Sequence, residues 1–563
     1  MIGATMTRTK KIILGICALI LLLLVGGHLV QNKLDVVEVN QDVSTSVDFE
    51  SRPVDRPNSE SAPGATAPAS PGTESAARAP DFFDSRTRES PRFAPIPRLS
   101  QPTRLATEAP TRPAVQHHFT PTSEEPTSTF SIDVNTASYT ASRDALFNGL
   151  LPHPSSVRPE EFLNFFSYDY DAPPTGQDFS IKIDALPSYF GSDPETPRHL
   201  MRVGIRGADI AVEDMKPSNL VFLVDISGSM GLDTRLPAAQ IAMRTLVESL
   251  RPDDTVAIQT YASGTHTALN PTPVASKNKI IAAIDALHAR GTTRGDAGII
   301  HAYQLARDAF IEEGNNRVII FSDGDFNVGP PGKDLAQLIR SYRDDHITVT
   351  TVAMGLGSQD ETMELLARNT NGNYVYIDTL EEADRVFKER IVGTLQVLAA
   401  DVKFQVEFNP DHVRRYRLLG YEKRRLRNED FKNDQIDAAE LGPGHTVTAF
   451  YEVEFADELP DDAELARVDI RYKKDLGAPG QHLSQRLTPA QVYATFEQAP
   501  AQLRFATAVA SFAESLQIQP GSDPPPPFNE MLAVVARSAY KDDARQVEFA
   551  NLITFAQELW TAY

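Results

Sequence analysis

Cysteine occurs once in this chain, at Cys17, so no disulfide can form within it and its thiols do not reveal the redox state of its compartment. Basic residues are in deficit as well. There are 54 Lys and Arg against 76 Asp and Glu, a formal charge of -22, and a surface of that sign repels the phosphates that nucleic-acid binding must neutralise. No nucleic acid is therefore expected as a partner. Internal repeats are missing, and tryptophan appears only at Trp560. What remains is a 563-residue chain with room for about three folded domains and linkers.

The first recognisable segment is residues 12–30, apolar except for Gly26-Gly27-His28. At about 1.5 Å per residue such a helix spans a hydrocarbon core of roughly 30 Å. Arg8, Lys10 and Lys11 precede it, while only Lys33 follows before Asp35 and Glu38. The positive-inside bias then keeps residues 1–11 cytoplasmic and exports the rest. The expectation is a single-pass protein of the inner (cytoplasmic) membrane, with the bulk of the chain in the periplasm or cell exterior. A cleaved signal peptide and a lipid on Cys17 are rival readings. Lipidation fits less well, because bulky Ile16 precedes the cysteine and most of the apolar run follows it.

Residues 31–127 are crowded with Pro, Ser, Thr, Ala and Glu and show no sustained apolar periodicity, so a disordered stalk is expected, reaching on the order of 50 Å as a coil. An N-terminal α+β accessory segment at 128–216 opens with the alternation Phe130, Ile132, Val134. Helices are expected at 137–148, stopped by Gly149, and after Pro159, where Phe162, Leu163, Phe165 and Phe166 form an apolar face. Strands follow at 179–183 and 200–205.

From 217 to 398 short, continuously apolar strands alternate with helices, the pattern of a doubly wound, mostly parallel α/β sheet covered on both faces. The strands read as 220–224, 255–261, 317–321, 347–354 and 374–377; the helices read as 237–250, 277–289, 297–311, 335–342 and 361–369. Beyond 399 the period becomes two, in Val402, Phe404, Val406, Phe408 and again in Val447, Ala449, Tyr451, Val453, Phe455. A C-terminal β-rich domain is expected at 399–496, and a helical tail, broken by Pro524 to Pro527, at 497–563.

The chemistry gathers at the end of the first α/β strand, in Asp225-Ile226-Ser227-Gly228-Ser229. In open α/β sheets ligands bind beyond the carboxyl ends of the strands, where the strand order reverses. An i, i+2, i+4 spacing in an extended turn aims one carboxylate and two hydroxyls at a single point. Gly291-Thr292-Thr293 and Asp323-Gly324 are expected at the same edge. All of these donors are oxygens, and an oxygen site without Cys or His selects a hard cation, Mg²⁺ or similarly Mn²⁺ or Ca²⁺. Because hydroxyl ligands are neutral, the ion keeps excess charge and attracts an outside carboxylate.

Asp225-x-Ser227-x-Ser229, a threonine and Asp323 resemble the metal-ion-dependent adhesion site of the von Willebrand factor type A family. Longer stretches, at 130–139 (Phe-Ser-Ile-Asp-Val-Asn-Thr-Ala-Ser-Tyr), 323–329 and 372–380, are similar to a bacterial envelope subfamily, the YfbK-like proteins. The likeness covers nearly everything from residue 128 onward and implies an accessory segment, a type A (Rossmann-like) domain and a C-terminal domain. It also implies that Asp225, Ser227, Ser229, Thr293 and Asp323 hold the ion, with a partner protein's Asp or Glu completing its coordination. Arg290-Gly291-Thr292-Thr293 stands where the family carries Gly-Gly-Ser-Thr; this leaves Thr292 as the alternative to Thr293 and sets Arg290 to temper the metal's field.

Rival patterns are weaker. Asp323, Asp325, Asn327 and Asp334 fall at calcium-loop positions, but Val328 stands where glycine is needed, Pro330 and Pro331 stiffen the loop, and a strand precedes it. His266, His288 and His301 form no triad pattern and read as solvated. The basic run from Arg414 to Arg427 reads as a solvated hairpin surface, or else as a contact for anionic lipid or wall polymer. The expectation is a membrane-tethered binding protein and not an enzyme; a metal-assisted envelope hydrolase and an assembly or chaperone-like factor are the alternatives.

Overall fold

The computed structural model describes residues 118–562, apart from 133, 191–196, 212–213, 233, 293–295, 325–345, 356–359, 371, 391–394, 435, 437, 475–477 and 523–524. The expected membrane helix at 12–30, the stalk as far as 117 and the helix at 335–342 lie outside the described residues. Among the described residues no helix is long and apolar enough to cross a membrane.

The α/β domain is built on six strands: β5 (Ser218–Asp225), β6 (Thr255–Tyr261), β7 (Thr265–Pro273), β8 (Asn315–Ser322), β9 (Ile347–Met354) and β10 (Tyr374–Ile377), in the order β10-β9-β8-β5-β6-β7. Every residue of β5 is buried, as the unbroken apolar run Leu220 to Val224 demands of a strand covered on both faces. Its side chains alternate between two cores. Leu220, Phe222 and Val224 pack with Leu246 and Ile280 of the helices Arg235–Ser249 and Lys277–Asp285. Val221 and Leu223 pack with Ile299 and Leu366 of the helices Asp296–Asp308 and Asp360–Asn369. The pairs β5 with β6, β5 with β8, β8 with β9 and β9 with β10 are parallel, whereas β7 runs antiparallel to β6. From β5 the chain moves to β6 on one side and returns to β8 on the other, so the strand order reverses at the carboxyl end of β5.

Nine further strands form two antiparallel sheets around one core. The first sheet, β1-β12-β13-β4-β3, comprises β1 (Thr120–Pro121), β12 (Val413–Leu419), β13 (Thr446–Phe455), β4 (His199–Gly207) and β3 (Phe179–Pro187). The second, β15-β14-β11-β2, comprises β15 (Gln481–Leu487), β14 (Ala466–Lys473), β11 (Ala400–Phe408) and β2 (Thr127–Ser131). Their inward faces interdigitate: the rings of Phe130 and Phe404 stack at 5.3 Å, and Tyr451 of the other sheet meets Phe130 at 6.4 Å and Phe408 at 5.2 Å.

Strands from before and after the α/β domain share these sheets. β2 pairs with β11 and β4 with β13, so the accessory segment and the C-terminal region interleave as one sandwich into which the α/β domain is inserted. Order also starts earlier than the stalk composition suggests. Thr120 and Pro121 pair with Tyr416 and Arg415, and the Phe119 ring lies under the guanidinium groups of Arg198, Arg415 and Arg417 at 5.1, 4.9 and 5.8 Å. The helices Ala137–Phe147, Pro159–Leu163, Ala501–Gln517, Phe528–Ser538 and Ala544–Ala562 form a separate core rich in phenylalanine.

Candidate functional site

At the end of β5 the Asp225 side chain is fully buried and the chain turns outward through Ser227 and Ser229. The Ser227 amide donates to Asp225 Oδ1 at 2.8 Å, which folds the loop back over the strand end. The two serine hydroxyls then lie 3.0 Å apart. Ser322, the last residue of β8, sets its hydroxyl 3.4 Å from Asp225 Oδ2, and the next residue, Asp323, reaches the same edge. Asp323 Oδ2 accepts a hydrogen bond from Arg235 Nη1 at 2.7 Å, whereas its Oδ1 is buried and has no hydrogen-bond partner among the described residues.

The third loop is tied in by its backbone. Gly228 N donates to Gly291 O at 3.0 Å and Arg290 N to Ile226 O at 2.6 Å. Gly291 has φ +82, and a Cβ there would stand 2.6 Å from Ser263 Oγ, so both the conformation and the close approach require glycine. Ser263 Oγ accepts from the Thr292 amide at 3.0 Å and lies 3.3 Å from the Thr292 hydroxyl, so Thr292 is engaged with Ser263. Thr293 lies outside the described residues, as do Asp325, Asn327 and Asp334. Asp225, Ser227, Ser229 and Asp323 are thus brought to one edge, and neither Cys nor His stands among them.

Burial pushes the Asp225 carboxyl up to about 6; the hydrogen bonds from Ser227 oppose the shift and the neighbouring Asp323 carboxylate adds to it. A carboxyl raised above its unfolded value destabilises the folded state once ionised. The cost is fully present above about 6 and vanishes as the pH falls toward the unfolded value of 3.8. Asp225→Asn in chelator should therefore stabilise the chain at pH 7.5 by on the order of 2–3 kcal/mol, a gain that shrinks on acidification toward pH 4. Thermal melts of the two proteins across that range check this; an unchanged or lower melting temperature at pH 7.5 would count against it.

Arg235 was not legible as a site residue. It is the first residue of the helix Arg235–Ser249, whose first turn carries no acidic side chain. A cation there opposes the helix dipole, and that anomaly is the one signal the sequence offered. The histidines are held locally: His301 Nδ1 lies 2.9 Å from Thr265 Oγ1, His288 Nδ1 lies 2.7 Å from Ala286 O, and all three histidines near the motifs are exposed.

The basic run proves to be largely paired within the fold. Arg414 meets Asp457, Arg415 meets Glu454, Arg417 meets Glu452 and Glu514, Lys423 meets Glu364, and Arg427 meets Asp430. A cavity of about 370 Å³ lies away from the crevice, lined among others by Thr136, Arg368, Tyr374 and His445. It touches none of the residues that the strand end brings together.

A doubly wound sheet with this loop at its reversal point is that of a von Willebrand factor type A domain, and the family model of that name matches residues 219–389. A model described as von Willebrand factor matches 110–196, and one described as uncharacterized protein YfbK, C-terminal, matches 393–559. The chain is 38% identical over 420 residues to YfbK of Escherichia coli (strain K12), covering 70% of this chain and 72% of that one; it belongs to the YfbK family. Mouse inter-alpha-trypsin inhibitor heavy chain H2 is 25% identical over 169 residues, 28% of this chain and 17% of its own. Among solved structures, a von Willebrand factor type A protein from Catenulispora acidiphila covers 67% of this chain and 89% of its own at 16% identity, with a TM-score of 0.40.

Proposed function

We propose that this YfbK-family protein is a membrane-tethered envelope protein whose type A domain grips an acidic side chain of a partner protein through a divalent ion. Asp225, Ser227, Ser229, Thr293 and Asp323 hold the ion, Mg²⁺ or, in its place, Mn²⁺ or Ca²⁺. The observation that carries the reading is Asp323 Oδ1, a buried carboxylate oxygen without a donor among the described residues, at the same strand edge as two serine hydroxyls 3.0 Å apart. Buried acceptors are ordinarily satisfied, and a hard cation satisfies several oxygens at once. When bound, the ion supplies a positive charge and an open position for an outside carboxylate. The chain's own part is to hold the donors: Ser227 N fixes the Asp225 carboxylate, and the Gly228 to Gly291 hydrogen bond holds the neighbouring loop beside it. Tethering rests on the apolar stretch 12–30 and the basic residues before it.

Mn²⁺ binding to the purified full chain tests the site. The wild type should take up one ion, and Asp225→Ala should weaken binding by at least about tenfold, as loss of an anionic ligand to a hard cation does. Equal affinity in the two proteins sinks the proposal. Crosslinking in intact cells tests the grip: Ser227→Ala with Ser229→Ala should lose partners that the wild type captures, and an identical partner set would move recognition elsewhere.

A further inference from the structure

Arg235 reaches the crevice beside the ends of β8 and β9, where Asp323 and Gly355 follow the strands. Its Nη1 is 2.7 Å from Asp323 Oδ2 and 3.3 Å from the Ser229 carbonyl, so one guanidinium nitrogen touches two of the residues assigned to the ion. The pair is shielded from solvent, with side-chain exposures of 18% for Arg235 and 1% for Asp323, and salt therefore screens it little. Room for it is built into the neighbouring loop. Gly355 follows β9 with φ +81, and a Cβ there would stand 2.7 Å from Arg235 Nε. Yet Nε itself has no hydrogen-bond partner among the described residues. Among the described residues the guanidinium is thus held through Nη1, a contact that can be exchanged for another.

Charge decides what the exchange does. Asp225 and Asp323 with Arg235 leave one negative charge; a divalent ion turns this into one positive charge, and a carboxylate from outside restores neutrality. We infer that Arg235 is a resident cation that competes with the ion for Asp323 and so keeps metal affinity low until a carboxylate arrives from outside. Metal and acidic partner then bind cooperatively, each raising the affinity of the other by the same factor. The inference rests on the metal-site reading, and its test separates the two.

The experiment measures Mn²⁺ affinity of the full chain alone and in saturating acetate, for wild type, Arg235→Met and the neutral, polar Arg235→Gln, with circular dichroism to confirm folding. Removing a like charge a few ångströms from the ion, at an effective dielectric of about 20, should tighten Mn²⁺ binding without acetate by about tenfold or more in both variants. Acetate should tighten binding to the wild type more than to either variant. Adding Asp225→Ala should weaken binding by at least about tenfold in all three backgrounds. Equal or weaker Mn²⁺ affinity in the folded Arg235 variants, with the Asp225→Ala effect retained, overturns the role of Arg235 and leaves the metal site standing. Binding in none of the proteins, or binding indifferent to Asp225→Ala, overturns both.

Discussion

Replacing Arg143 by alanine is expected to lower the unfolding free energy by about 3–5 kcal/mol, the range found when one member of a buried ion pair is removed. Arg143 projects from the helix Ala137–Phe147 and is 5% exposed; it holds Asp378 through Nε and Nη2, both at 2.6 Å, and Asp378 is 1% exposed. Nη2 also reaches Glu382 at 3.3 Å, while Nη1 reaches Glu548 at 3.0 Å. The forked geometry is the strong form of this interaction, and the cation lies 5.4 Å from the Phe165 ring centre as well. Without it, Asp378 and Glu382 remain buried beside each other, although Arg385 still compensates Glu382 at 2.5 Å. Urea unfolding followed by circular dichroism checks the figure. A loss below about 1 kcal/mol would reduce the cluster to the worth of a surface pair.

Phe166→Ala should cost a similar amount, about 3–5 kcal/mol, for a different reason: a cavity in a close-packed core. The Phe166 ring meets Tyr139 at 5.4 Å, Phe165 at 5.1 Å, Phe505 at 5.1 Å and Phe549 at 5.5 Å. It therefore joins helices from before and after the inserted domain. Because it belongs to the helical core and not to either core of the α/β sheet, Mn²⁺ affinity should be unchanged in the folded variant. A stability loss under about 1.5 kcal/mol would mean that the surrounding rings collapse into the space. A loss of metal affinity at constant fold would couple the helical core to the crevice.

The parallel strands were read from sequence with unusual fidelity: the bounds of β6, β9 and β10 agree with the apolar runs. Strands buried on both faces are rich in β-branched and aromatic residues along their whole length, and the buried Gln259, Thr260, Thr350 and Thr351 do not interrupt that signal. The same logic explains the omissions. β7 is an edge strand whose His266, Asn270 and Pro273 are exposed, and β1 is two residues long. Neither carries a periodicity long enough to see. The interleaving of β2 with β11 and of β4 with β13 could not be read at all, because alternation identifies a strand and not its partner. At the crevice, the Asp225, Ser227, Ser229 and Asp323 positions were legible because a strand end and a short spacing define them. Arg235 was not, since its significance comes from a carboxylate contributed by another strand and from a glycine that leaves space for it.

The insertion has a bearing on how this chain acquires its shape. β2 and β4 are made before the α/β domain, but β11 and β13, which they join, come after it, so on emerging from the ribosome β4 can form only its hairpin with β3 and β2 waits for β11. The sandwich must wait for the insert. An insert that has already folded presents a compact obstacle with two chain ends in place of a long slack loop, and the entropy of bringing β4 to β13 falls accordingly. Synthesis order and nesting thus make the α/β domain a scaffold for assembly of the part that surrounds it in sequence.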